Sequence, residues 1–510
     1  MNEISQLLFF DEPEIRFGYD QQTAHPKDGL ILFGPYNNPL EGSTLRLGLI
    51  ATEAGADRYE RWAKRISGKI APAKENDPNH TIFPGFETVF QARWPDQPIA
   101  SLRVDEEELR NAIMQTDRHQ AIYRAVSLYA EPIARHSREQ SEITVDVWLV
   151  VIPEYIYRLG RPKSKPTQDE RIQSAYPIDF KKARRLMQEP SFFEEDNQAA
   201  EIYRFEKNFH NQLKARLLEH RAVIQILRET TIAPDDFRRA DGKPLRQLED
   251  PARVAWNLTT TTFYKAGGQP WRLGAPRKGV CYVGVVFKRD DTGPTAAHAC
   301  VGAQMFLDSG DGVVFRGAAG PWYSEDTKTF NLPKDQARKL LSIVISAYQQ
   351  GHDGEAPTEV FVHGKKRFSE DEWKGFNEAV PQNSKVVCVQ IRENSRLKLF
   401  RMGDTNIPRG LAWKMTTHTG FLWSKGFVPR LQTYAGREVP NPLFVQLTRG
   451  DADLEVVLRD VLTLTKLNYN ACIYGDGVPV TLRFADSVGE ILTAAPLKED
   501  LPPLPFRFYI

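Results

Sequence analysis

The chain has 510 residues, of which 41% are hydrophobic, 26% charged and 11% aromatic, and its formal net charge is +1. That length makes two large or about three ordinary folding units, and the apolar fraction fills a sizeable core, which excludes a mainly disordered protein. The near-zero balance excludes a molecule-wide field for nucleic acid or an anionic membrane, so any such contact has to be a local patch.

The N-terminal MNEISQLLFFDEPEIRF has acids close behind a short apolar run, without a basic leader or a small-residue cleavage site. No stretch of about 20 apolar residues occurs, so the expectation is a cytoplasmic chain with no membrane contact. Cys281, Cys300, Cys388 and Cys472 are far apart and never form C-x-x-C, which argues for buried thiols in a reducing compartment.

In chain order, LRLGLIA (45 to 51) reads as a buried strand and AGADRYERWAKRI (54 to 66) as a helix. The run 105 to 134 reads as one long helix and TVDVWLVVIP (144 to 153) as a second strand. Between Arg158 and Arg185 nine Lys/Arg face three acids, and Pro162 and Pro166 predict a loop there. This run is either a nucleic-acid contact or a solvated loop, with Arg158, Arg161, Lys163 and Lys165 as backbone candidates. NFHNQLKARLLEH (208 to 220) is a helix with Phe209, Leu213 and Leu217 on one stripe. The short strand AVIQIL follows, then a helix that ends at Gly267 and Gly268. Strands alternating with helices predict a parallel sheet flanked by helices.

The rhythm changes near Pro270. GVCYVGVVFK, HACVGAQMFLD and GVVFRG are three successive strands, followed by helix, strand, helix and strand up to KVVCVQI. This β-β-β-α-β-α-β order is that of a ribonuclease-H-like domain. Such a domain cuts nucleic acid with carboxylates that hold two divalent ions, one from the first strand and one from the end of the fourth. The first strand contains no acid, and Val362, His363, Gly364 and Lys365 supply none at the end of the fourth. Asn468 and Asn470 lack the missing charge, and Asp308, Asp311 and Glu325 read as turn and surface residues. No phosphate loop, H-E-x-x-H or G-x-S-x-G is present, so binding gains over catalysis.

The strongest positive signal is His210 and Lys214, one helical turn apart, with Gln225 on the following strand and Lys265 at the end of the next helix. Four donors from successive elements leaving a parallel sheet suit a terminal phosphate and its base. The plainer alternatives are a solvated helix face for His210 and Lys214, and a helix C-terminal charge for Lys265.

These residues, within FHNQLKARLL, HRAVIQILRETT and FYKAGGQPW, belong to a wider similarity that includes FPGFETVF, GAQMFLDSGDG, EVFVHGKKRF and LTKLNYNACIYGDG. On them the chain resembles the short prokaryotic Argonautes, most of all the Argonaute subunit of TIR-APAZ systems. The resemblance implies an α/β protein with two parts. A Rossmann-like MID domain spans 1–270, with its N-terminal segment packed on PIWI, and a ribonuclease-H-like PIWI domain spans 271–510. It implies that His210, Lys214, Gln225 and Lys265 hold the 5′-phosphate of a small guide RNA. A Mg²⁺ would bridge that phosphate to the C-terminal carboxylate of Ile510. It implies pairing of the guide with single-stranded target DNA and, with Val286 and Gly364 at the acid positions, no cleavage. The partner it implies is an APAZ-containing effector that causes abortive infection: a TIR-type NAD hydrolase, or a nuclease-APAZ or SIR2-APAZ protein. The rival from another class is an active metal-dependent nuclease using displaced acids such as Asp308, Asp311 or Asp476.

Overall fold

Two strands with side chains buried on both faces, Leu47–Ala51 and Val147–Ile152, form the middle of a four-stranded parallel sheet. Ala100–Arg103 and Ile224–Arg228 complete it in this computed structural model. The structure describes residues 5–497 and 504–510 apart from 75–76, 78–79, 140–141, 175, 248, 294–296, 307–311, 321, 325–328, 435 and 437. At 297–306, 312–320, 324 and 329 only the backbone is described. Alternation along the strands sends Leu49, Leu149 and Val151 to one face and Ile50, Trp148 and Val150 to the other. The first face packs on the helices Glu53–Ile66 and Pro251–Lys265, the second on Arg118–Glu139 and Phe209–Leu218. A side chain at Gly48 would enter the space of the Trp148 ring, so only glycine lets that ring lie across the sheet.

Two expectations need correction. The run 105 to 134 is two helices, Glu106–Ile113 and Arg118–Glu139. The break falls where the Asp117 carboxylate accepts hydrogen bonds from the backbone N–H groups of His119 and Gln120, a capping signal inside an apolar-periodic run. The basic segment is a loop only in part, since Lys181, Lys182, Arg184 and Arg185 lie on the helix Phe180–Gln188, capped by Asp179.

The second half forms most of a ten-stranded sheet. Its centre runs Gly312–Gly320, Ala297–Phe306, Val280–Asp290, Glu359–Gly364, Lys385–Glu393, with the first three antiparallel and Glu359–Gly364 parallel to both neighbours. This is the order expected of a ribonuclease-H-like sheet. Cys281, Val283 and Val285 pack under the helices Lys334–Gln350 and Glu370–Ala379, while Tyr282 and Val286 face the helix Val480–Leu492. Cys281, Cys388 and Cys472 are buried free thiols; the side chain of Cys300 lies outside the described residues. Among the described residues no helix is long and apolar enough to cross a membrane.

The described ends of the chain close this sheet. Gln6–Phe9 pairs with Leu411–Lys414 at one edge, and Leu504–Pro505 pairs with Gly312–Gly320 at the other. Just after the first strand, the Glu12 carboxylate accepts hydrogen bonds from Arg409 and Lys466, each at 2.8 Å. Burial pushes the Glu12 carboxyl up, but the two cations outweigh it and hold the group below its ordinary value. Removing this acid strands two buried cations, so Glu12→Ala should cost about 3–5 kcal/mol in chemical denaturation. Because the folded carboxyl titrates below its ordinary 4.5, its contribution is present above that pH and is lost as pH falls through the lowered value. The wild type should therefore lose more melting temperature on acidification than Glu12→Gln.

Candidate anion-binding site

The helix Phe209–Leu218 begins at Asn208, whose side chain caps it, and presses Phe209, Leu213 and Leu217 onto the parallel sheet. That packing fixes the rotation of the helix and sets His210 and Lys214 beside the stripe, in the wall of one cavity. The next strand, Ile224–Arg228, puts Val223 and Leu227 in one core and Ile224 in the other, as the period of two predicts. Gln225 falls on the side of the Pro251–Lys265 helix, whose last residue is Lys265.

All four line one cavity of about 910 Å³, together with Tyr509 and Ile510. Lys265 Nζ donates to Gln225 Oε1 at 2.6 Å and to the Ile224 carbonyl at 2.8 Å, and Lys214 Nζ donates to the Tyr509 carbonyl at 3.1 Å. Lys214 and Lys265 are 4% and 2% exposed, so neither is a solvated helix-face or helix-end charge. His210 stands at the rim, exposed to the cleft, with Nδ1 3.2 Å from Asn211 Oδ1.

The electrostatics are those of a site short of negative charge. Burial lowers the Lys214 amine to about 7, and burial together with the Lys214 charge pushes Lys265 well below its ordinary value. The cleft walls and the two lysines likewise keep the His210 imidazole neutral near pH 7. Among the described residues neither amine has a carboxylate within ion-pair distance; both are held by neutral oxygens. Of the charged residues lining the cavity six are Lys or Arg and three are Asp or Glu, so the cleft as a whole favours an anion. Arg253, Arg392 and Arg483 in that wall were not singled out from the sequence. Only Arg253, in the first turn of the Lys265 helix, carried a local signal.

The C-terminal segment is docked against the cavity. Phe506 packs 4.0 Å from Phe484, Phe508 and Tyr509 are buried, and the last residue, Ile510, lines the cavity. The basic-segment candidates lie elsewhere. Arg158 pairs with Glu170 at 2.7 Å, Arg161 stacks on Tyr157 at 4.2 Å, and Lys163 and Lys165 are exposed; none lines the cavity.

Of the two positions expected to lack acids, Val286 is buried against the Val480–Leu492 helix, whereas Gly364, paired with Val285, lies on the other face of the sheet. A Cβ on Gly364 would come within 2.6 Å of the Phe368 ring. Nearby Asp486 pairs with Lys365 and Lys288. Asp476 accepts from Asn468 Nδ2 at 3.0 Å and from the Gly477 N–H at 2.6 Å, and Asn468 Oδ1 accepts from the Asn470 N–H. Asp308, Asp311 and Glu325 lie outside the described residues. Among those described, no group of three or more His, Cys, Asp or Glu is placed to hold a metal ion.

No protein-family model matches the sequence, and no characterised protein sequence matches it either. The fold, by contrast, is that of Argonaute proteins. Over 97% of its length the chain is similar to Clostridium butyricum Argonaute, in a structure bound to a guide DNA and a 19-mer target DNA, at a TM-score of 0.59 and 14% identity. Over 100% of its length it is similar to Aa-Ago, in a structure with externally bound siRNA, at a TM-score of 0.55 and 15% identity. It spans 54% and 56% of those chains, about half of each.

The pH dependence of the ligand-free protein tests the buried amines. Folded Lys214 gives up its proton near pH 7, whereas the unfolded chain keeps it to the ordinary 10.5, so stability should rise with pH across that window. Each unit of difference contributes about 1.4 kcal/mol. In denaturation series from pH 6.5 to 10, roughly the span between the two values, Lys214→Met should flatten the rise and leave stability at neutral pH no lower.

Proposed function

We propose that this chain is the guide-binding subunit of a short prokaryotic Argonaute system. It holds the 5′-phosphate of a small guide RNA in the Lys214–Lys265 cavity and pairs the guide with single-stranded target DNA. The observation that carries this reading is the pair of buried amines, without carboxylate partners among the described residues, beside the start of the strand Ile224–Arg228 in an Argonaute fold. A terminal phosphate brings close to two negative charges and several acceptor oxygens, which the two amines meet with charge-assisted hydrogen bonds. Lys265 occupies Gln225 Oε1, so the amide nitrogen of Gln225 is left as a donor to the ligand.

Mg²⁺ fits one place in this cavity. Ile510 lines it, and its terminal carboxylate would hold such an ion beside a bound phosphate, both being hard oxygen donors. When bound, the ion neutralises the repulsion between the two anions.

No cleavage is assigned to the ten-stranded sheet, because neither Val286 nor Gly364 supplies a carboxylate for two-metal chemistry. The reaction belongs to an APAZ-containing partner, a TIR-type NAD hydrolase in the favoured reading, with nuclease- and SIR2-bearing partners as the alternatives. Target recognition by the present chain would switch that partner on and end in abortive infection.

Binding of labelled oligonucleotides tests the assignment. Lys214→Ala or Lys265→Ala should weaken a 5′-phosphorylated guide by about tenfold or more, given roughly 1.5–3 kcal/mol for each hydrogen bond to a charged group. A 5′-hydroxyl guide should bind poorly and respond less. Equal wild-type affinity for both guides would remove the phosphate assignment, and cutting of a complementary target with Mg²⁺ or Mn²⁺ would remove the non-cleaving one.

A further inference from the structure

A second cavity, of about 320 Å³, lies toward the other end of the Pro251–Lys265 helix. His25 and Lys27, at the start of the helix Pro26–Phe33, form one wall; Arg253 and the stretches around Ser424–Leu431 and Cys472–Gly475 form the rest. Four of the lining residues are Lys or Arg and, among the described residues, none is Asp or Glu.

Two of these cations are engaged. Arg409 is held by Glu12 and the Thr465 hydroxyl, and Lys425 lies 3.6 Å from Glu393. The other two are not. Lys27 is 7% exposed, yet among the described residues its amine has neither a hydrogen bond nor an ion pair, and the Arg253 guanidinium has neither as well. The acids closest to them are occupied: Asp28 pairs with His25 and Arg430, and Asp250 caps its own helix and accepts from the Ala73 N–H. Cys472 beside Lys27 supplies no charge, because burial raises its thiol to about 12. A buried amine with no counter-charge, facing a cavity with no acid in its wall, is a site for an anion. The rest of the wall, with Val428, Leu431 and Tyr474, is apolar and aromatic enough to cover a planar body.

We infer that this cavity is a second phosphoryl site, in which Lys27 and Arg253 hold the phosphate of a nucleotide whose base lies against Val428, Leu431 and Tyr474. The phosphate can come from a free mononucleotide or from a phosphodiester within a bound strand. Arg253 lines both cavities, so the two are neighbours along one helix. Arg253 and Lys265 are separated by roughly 18 Å of helix at 1.5 Å per residue. That is about five nucleotides at 3.4 Å of strand rise each. The strand source rests on the function proposed above; the free-nucleotide source does not.

The test titrates the intact chain and its Lys27→Met and Lys27→Gln variants, since Lys27 lines only the second cavity whereas Arg253 lines both, with AMP and with 5′-phosphorylated 3-mer and 10-mer strands. Both substitutions should weaken AMP, or the 10-mer but not the 3-mer, by about fivefold or more, the loss of one hydrogen bond to a charged group. Loss for AMP identifies the free nucleotide and loss for the 10-mer alone identifies the strand. The 3-mer reaches only the Lys214–Lys265 cavity and should be unaffected. Lys27→Met should also leave the ligand-free melting temperature unchanged or raised, and if that variant does not fold, Lys27→Gln decides. Unchanged affinity for both AMP and the 10-mer, or equal loss for the 3-mer and the 10-mer, would overturn the site. If no oligonucleotide binds at all, the AMP titration decides alone, and the failure then belongs to the guide-binding reading.

Discussion

Two amines of like sign, Lys214 and Lys265, are buried in one cavity with only neutral oxygens as partners among the described residues. Bringing them there costs desolvation twice and repulsion once. The surrounding structure sustains the arrangement. The Phe209, Leu213 and Leu217 stripe fixes Lys214, the Pro251–Lys265 helix delivers Lys265, and Gln225 receives its proton donor. The docked C-terminal segment offers the Tyr509 carbonyl to the other amine. An anion is the component that turns this cost into stabilisation, and a phosphate monoester has the charge and the oxygens to do so.

A second buried charge cluster in the same molecule shows the contrast. Arg409 and Lys466 are as deeply buried, but Glu12 lies between them at hydrogen-bond distance and the Ala24 carbonyl takes another Lys466 proton. That cluster is complete within the chain, and it ties the N-terminal segment to the ten-stranded sheet. The buried charges of Arg409 and Lys466 are paired with a carboxylate; those of Lys214, Lys265 and Lys27, which line cavities, have no carboxylate partner among the described residues.

Much of this was legible in the sequence because the signals are local. Runs such as VWLVVI, buried on both faces, predict a parallel sheet, and the order of strands after Pro270 predicts the central five of the larger sheet. His210, Lys214, Gln225 and Lys265 could be named because each lies on a clear element, the first two one turn apart on a helix and the others near the ends of a strand and a helix. What was not legible comes from distance. Nothing in QLLF announces pairing with a strand some 400 residues on, and Lys27 and Arg253 meet only once Pro26–Phe33 is folded against the second half. The break at Asp117 was hidden differently, by a capping residue inside a run whose apolar period continued past it. At Gly364 the sequence showed a missing acid, and the structure adds that the Phe368 ring leaves no room for one.

The most direct measurement is the proton balance of binding. Calorimetric titration of a 5′-phosphorylated strand near pH 8, about one unit above the lowered Lys214 value, in buffers of different ionisation enthalpy, counts the protons exchanged. The account predicts net proton uptake, because the phosphate restores charge to amines that burial has partly deprotonated. It also predicts that the uptake falls in Lys214→Met and is absent with a 5′-hydroxyl strand. Tight binding of both strands with no proton exchange would contradict the claim that these two lysines form a phosphate site.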